Sequence, residues 1–343
     1  MQSTDQTQTT SPTSTRATLR TLFPGLAVCL LAGALCMVIS RFLDGVSALL
    51  LAIVLGALWR NIVPVPTALE PGIAVSGKKL LRLGIVLLGL QLSLGTILGL
   101  GPGVLLVVFL SVGVTFFATL WIGSRLGMDL PQRLLIAAGF SICGAAAVAG
   151  AENVVRAKQS EVATAVGLVV LFGTLMIPAM PALGALLQMD ERSIGMLVGA
   201  STHEVAHVVA AGGSVGAAAL EVAVTVKLAR VVLLAPIIAG VGMFMRRRHA
   251  VTGGKNPPLV PLFVLGFIAA MLLRTSGIVP VWALDAGQML QTLLLSSAMF
   301  ALGLGVHLRS IVKTGGKSLL LGLLATIVIT VVSVLGTLAF PPQ

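Results

Sequence analysis

Long apolar runs, unbroken by any regular alternation of polar residues, set the character of this chain. They cover residues 24–40, 46–59, 80–100, 102–123, 160–187, 216–244, 258–274, 284–307 and 318–340. The longer ones exceed the ~18 apolar residues that a helix needs to cross a hydrocarbon layer of ~30 Å, where a helix satisfies its own backbone. Two further segments, 132–156 and 193–213, are long enough to reach into the layer but carry Gly, Ala, Ser and polar residues. They read as interrupted or re-entrant helices. The pattern predicts an all-α polytopic membrane helical bundle of about 9 to 11 transmembrane segments, one transporter domain over residues 23–343. Residues 1–22, rich in Ser, Thr and Gln, predict a disordered cytosolic tail.

Composition excludes the soluble alternatives. With 57% hydrophobic and 10% charged residues in 343, no single water-soluble core could hide the apolar surface. The formal charge of +11 fits basic loops gathered on one side of a bilayer. A cytosolic N-terminus with both odd segments re-entrant puts Arg60, Lys78, Arg125, Arg133, Arg156, Lys158, Arg246 and Lys317 inside. Arg41, Arg192 and Arg274 then face outside. Basic residues are not interleaved with aromatic ones, so nucleic acid is no expected partner. Trp59, Trp121 and Trp282 fall at span ends, the place for an interfacial indole. Cys29, Cys36 and Cys143 lie in apolar segments without metal spacing and read as packing thiols rather than a disulfide framework.

Internal similarity appears at two offsets. A shift of 60 residues lays Gly139, Ser141, Ala146 and Val148 over Gly199, Ser201, Ala206 and Val208, then Glu161 over Glu221. Each unit is one interrupted segment plus one span, and a re-entrant reading turns the second unit upside down, as in an inverted repeat. A second match, Leu88-Gly89-Leu90 with Leu302-Gly303-Leu304 and onward through Gly101 and Gly315, implies a different pairing of helices.

Three motifs carry candidate chemistry. His203-Glu204-Val205-Ala206-His207 spells H-E-x-x-H, which on one helix face binds Zn2+ with two His while the Glu activates water. An intramembrane zinc protease would need a third ligand, Asp285 or His307. The alternatives are a structural role at a broken helix and an ionisable cluster facing a water-filled path. Lys227 and Arg230 stand three residues apart on one face of an apolar span and call for an anion, supplied by Glu204 and Glu221 or by a substrate. Gly139 to Ala147 holds small residues with Gly144 as a natural break, where a restarting helix aims free N–H groups inward, as does the break at Ala200-Ser201-Thr202.

The stretches from Phe140 to Ala145, Ser201 to Gly212, Val226 to Pro236 and Lys79 to Gly89 closely resemble the YeiH-like family of bacterial inner-membrane proteins, to which sulfate export is ascribed. The family often has Gln where His207 stands. The resemblance implies a secondary carrier in the bacterial inner membrane rather than an enzyme. Taken with the motifs, the expectation is alternating-access transport of a small inorganic or organosulfur anion, with no cofactor or metal. Ser141, Cys143, Gly144, Ser201, Thr202, Lys227 and Arg230 are the expected substrate-binding residues, and His203 and Glu204 the expected coupling site for a proton or sodium. A homo-oligomer is one expected assembly. A proton- or sodium-coupled antiporter without an anion substrate is the competing reading.

Overall fold

A computed structural model describes residues 13–43, 47–248, 262–305 and 316–342. Every regular element among them is helical. In chain order they are α1 (Thr13–Ser40), α2 (Ala48–Ile62), α3 (Glu70–Val75), α4 (Leu81–Leu88), α5 (Leu94–Leu98), α6 (Gly101–Arg125), α7 (Leu130–Ala138), α8 (Ala145–Val155), α9 (Gln159–Leu186), α10 (Glu191–Ser201), α11 (Val205–Gly213), α12 (Ala217–Val232), α13 (Leu234–Arg248), α14 (Leu262–Thr275), α15 (Val281–Gly303) and α16 (Gly316–Ala339). Five helical stretches are long and apolar enough to cross a membrane, beginning at Thr21, Gly101, Gln159, Ala217 and Gly316, and shorter apolar helices accompany them.

Several boundaries depart from the apolar runs. Helix α1 begins at Thr13, so the expected tail is helical over its last ten residues, and residues 1–12 lie outside the described part. The expected span 80–100 begins instead at Thr67 and runs through α3, a π-turn at Ser76–Leu80 and α4 before ending at Gln91. The charges of Lys78, Lys79 and Arg82 hide this start in the sequence. Its polar start is tolerated because Ser76 and Gly77 are buried and the Ser76 hydroxyl bonds the Gly72 carbonyl at 2.9 Å. The run 216–244 is split at Leu233, three residues before Pro236. Trp59, Trp121 and Trp282 sit at or near helix ends with exposed rings, as the pattern predicts.

Two groups of helices pack separately. A frame joins α1, α2, α3, α4, α14 and α15, and a second module joins α6 to α13 with α16. Glycines set the closest approaches in the frame: a Cβ on Gly56 would meet the backbone of Phe300, and one on Gly303 the backbone of Ile53. Large apolar side chains such as Leu31, Phe117 and Leu262 point outward, 70–80% exposed, as lipid-facing residues must.

Inside the second module two helical hairpins oppose each other. Helix α7, closed by a π-turn at Gly139–Cys143, doubles back at Gly144 into α8, so that Gly139 lies against Val148. Helix α10 runs parallel to α12, with Gly195 on Ala219 and Gly199 on Ala223, and α11 returns antiparallel, with Gly212 on Leu220. The first hairpin opens at the end holding Arg133 and Glu152, the second at the opposite end of α9, where Gly184 meets Ile194. Their tips meet, Phe140 stacking on His203 at 4.4 Å between ring centroids. The 60-residue offset thus overlays two hairpins of one form. The other offset lays the ends of α4 and the start of α6 over the end of α15 and the segment leading into α16, so the two matches mark different pairs of elements.

Gly144 turns the first tip with φ 74° and ψ −135°, a conformation closed to side-chain-bearing residues, and a Cβ there would collide with Glu204. Gly144→Ala should destabilise the protein by about 1–3 kcal/mol or more, read as a lowered melting temperature in detergent. Gly113→Ala, on α6 with open space around it, should leave the melt unchanged or raise it.

Candidate functional site

The helix breaks leave two kinds of chain end buried at the hairpin tips: carbonyls where α7 and α10 stop, amides where α8 and α11 start. Unpaired backbone groups in an apolar interior cost several kcal/mol each. Helix α12 passes behind both tips and serves the carbonyls. Lys227, fully buried, donates all three Nζ protons to carbonyl oxygens, of Ile142 at 2.9 Å, Thr202 at 2.8 Å and His203 at 2.6 Å. Arg230, also fully buried, donates from one terminal nitrogen to Gly199 and Thr202, both at 3.0 Å, and from the other to Ser141 at 2.7 Å. Two cations therefore sit on two helix C-termini, where the macrodipole favours positive charge.

The amide ends meet Glu204. This residue is the N-cap position of α11, and its Oε1 accepts the Ala145 N–H that opens α8 at 2.9 Å. One carboxylate thus bonds the positive end of α8, while at α11 it stands at the N-cap position without a cap hydrogen bond. Its second oxygen, Oε2, is buried without a partner, the side chain being 3% exposed.

Several expected roles change. The Ser141 and Ser201 hydroxyls turn back on their own helices, donating to the carbonyls of Ala137 at 2.6 Å and Leu197 at 2.7 Å. They satisfy main chain rather than face a ligand. Lys227 and Arg230 share a face as expected, but carbonyls meet their charge, not Glu221, which is exposed, and not an open pocket. Thr202 contributes its carbonyl to both cations, and its hydroxyl is buried without a partner. Cys143 and Glu204 do line a cavity, and Gly144 is the turn that brings them there.

The H-E-x-x-H spelling does not form a zinc face. The helix is broken across Thr202–Glu204, so His203 stands outside α11 and His207 inside it. His203 is held by the Phe140 carbonyl at 3.3 Å and the Thr326 hydroxyl at 3.1 Å, and His207 packs against Gly173. Asp285 is exposed near the start of α15, His307 lies outside the described residues, and among the described residues no three metal-binding side chains converge.

Two spaces adjoin the tips, both between the frame and the second module. A small cavity of about 40 Å³ lies between Leu81, Leu295 and Met299 of the frame and Cys143, Glu204 and Ala206 of the hairpins. An open vestibule of about 250 Å³ reaches Ala145 past Lys78, Glu152 and Gln159. Glu152 is buried beside this vestibule and accepts from Lys78 at 2.8 Å and Gln159 at 2.6 Å. Sequence spacing could not show it, because Lys78 and Glu152 are 74 residues apart.

Comparisons with known proteins agree with the membrane architecture. Residues 24–322 match the family described as Conserved hypothetical protein 698. A UPF0324 membrane protein of Corynebacterium glutamicum is 49% identical over 317 residues, 92% of each chain. A UPF0324 membrane protein of Pseudomonas aeruginosa is 41% identical over 82% of each chain. The UPF0324 inner membrane protein YeiH of Salmonella typhi is 37% identical over 81% of this chain and 82% of its own.

Lys227→Met strands the Ile142 and His203 carbonyls, at about 1–3 kcal/mol for each. A large loss of folded yield and melting temperature is expected, whereas Ser141→Ala should stay within about 1 kcal/mol of the wild type. Elemental analysis of purified protein should find zinc well below one atom per chain, unchanged by His207→Gln.

Proposed function

The chain belongs to the Conserved hypothetical protein 698 family of membrane proteins, and on that premise we propose that it is a secondary-active carrier moving a small anion by alternating access. The observation that carries this reading is the buried carboxylate of Glu204, the N-cap residue of α11, bonded to the opposed half-helix N-terminus of α8 between a small cavity and a larger vestibule. The hairpins enter the bilayer from opposite faces as re-entrant pairs, and the N-terminus is cytosolic. The vestibule, flanked by Arg60 and Lys78, opens on the cytosolic side. Motion of the frame against the second module would close it and open the other face.

Charge favours an anion as cargo. Each buried helix end counts as roughly half an elementary charge. Two C-terminal ends offset about one of the two cations, and two N-terminal ends offset the Glu204 carboxylate, leaving roughly one positive charge over. Sulfate or a related oxyanion or sulfonate fits that field. Glu204 takes the coupling proton, since its Oε2 faces no other donor. His203, held by Phe140 and Thr326, positions the tip.

One observation favours an antiporter without an anion: about 40 Å³ beside Glu204 is room for about three waters or a small cation. Proteoliposomes decide between the two. Saturable uptake of a labelled oxyanion or sulfonate that follows an imposed pH gradient, with that response lost in Glu204→Gln, is the expected result. No anion flux together with collapse of a sodium or proton gradient would replace the anion carrier by the antiporter.

A further inference from the structure

A transported anion needs donors, and the hairpin tips leave few. The Lys227 protons are used, and the serine hydroxyls are turned away. Besides the Thr202 hydroxyl and the Arg230 Nε, both buried without a partner, what remains is the first turn of α8 and of α11, eleven and nine residues long, whose starts wall the small cavity through Ala146, Val205 and Ala206. That seat is already taken by the protein's own anion, because Glu204 Oε1 holds the Ala145 N–H at 2.9 Å. The other oxygen, in a side chain 97% buried, has no partner and belongs to the residue that lines the cavity.

Building on the anion-carrier reading, we propose that the Glu204 carboxylate is a tethered stand-in for the cargo: carboxylate and transported anion compete for the N-terminus of α8, beside that of α11, and a proton on Glu204 decides which one sits there. The cycle balances. With Glu204 ionised the seat is full and the carrier is empty of anion. A proton adds to Oε2, the neutral carboxyl loses most of its hold on the Ala145 N–H, the side chain swings out, and the anion takes the freed amides. Protonation also raises the leftover charge from roughly one to roughly two positive charges, the complement of a dianion such as sulfate. One proton and one anion then cross together, and the anion's departure returns the carboxylate to its seat as the proton leaves.

Among the described residues no other charged side chain lines the cavity to confuse this exchange. The frame presents Leu49, Leu81, Ile85, Leu88, Leu295 and Met299. On the other side, Lys227 and Arg230 of α12 are tied to carbonyls, His203 is held by Phe140 and Thr326, His207 packs on Gly173, and Cys143 is a free thiol. The first turn of α8 is the wall between cavity and vestibule, with Ala146 on one side and Ala145 on the other. A withdrawn carboxylate opens the seat towards that path.

The test is equilibrium binding of labelled sulfate, chloride, nitrate and methanesulfonate to the purified full-length protein at pH ~6 and ~8. Wild type should bind its anion more tightly at the lower pH, approaching about tenfold per pH unit where Glu204 is ionised when no anion is bound. Glu204→Gln, which mimics the protonated carboxyl, should gain binding at the higher pH, at least about tenfold over wild type, and lose the pH dependence. Should Gln impair folding, Glu204→Asp, whose shorter tether cannot hold the Ala145 N–H, should shift the same way by a smaller factor, and the wild-type slope stands by itself. Wild-type binding that is flat or rises with pH, or a folded Glu204→Gln that binds no more tightly than wild type at the higher pH, overturns the competition while leaving an anion carrier. Absence of binding for all four anions in both proteins removes the anion reading and this inference with it.

Discussion

Buried helix ends govern this structure. A helix that stops inside an apolar interior leaves main-chain groups that water cannot reach, and each must find a partner in the protein. Here four such ends meet in one place, and three side chains serve three of them: Lys227 and Arg230 on the carbonyls of α7 and α10, Glu204 on the Ala145 amide of α8. The neighbouring features follow from this requirement. Helix α12 must run behind both tips, Gly144 must adopt a positive φ so that Ala145 faces Glu204, and Ser141 and Ser201 must fold back on their own turns.

The same arrangement explains why ionisable groups survive at such depth. Buried charges are tolerated when hydrogen bonds replace lost hydration, and Lys227 reaches that limit with three carbonyls for three protons. Glu204 does not reach it. One of its oxygens is bonded and the other is not, and this asymmetry separates a purely structural network from a site that can exchange a partner. The two spaces beside the tips follow the same division, lying on the Glu204 side and at the seam between the frame and the second module.

Membership in a family of membrane proteins, with one relative 49% identical across most of the chain, agrees with the architecture read from the apolar runs. The local spelling of motifs was a poorer guide. H-E-x-x-H places two histidines on one face only if the helix is continuous, and here it restarts at Val205. Lys227 and Arg230 do share a face and do need negative partners, as their spacing implied, but the partners are carbonyl oxygens, which no inventory of acidic residues could reveal. The Lys78–Glu152 pair escaped for a related reason, since its members belong to different modules.

Composition and the length of apolar runs determined by themselves that this chain is a polytopic helical membrane protein. Gly- and Ser-rich interruptions marked the two segments that break, and the repeated Gly-x-Ser at an offset of 60 residues marked them as a pair. These properties are local, because whether a segment can lie in lipid or continue as a helix depends on its own side chains and backbone. Tertiary structure alone decided what each charge is for. An ionisable group in an apolar interior takes its role from whichever main-chain ends are brought within hydrogen-bond reach, and those ends arrive from hairpins and a crossing helix far apart in the chain.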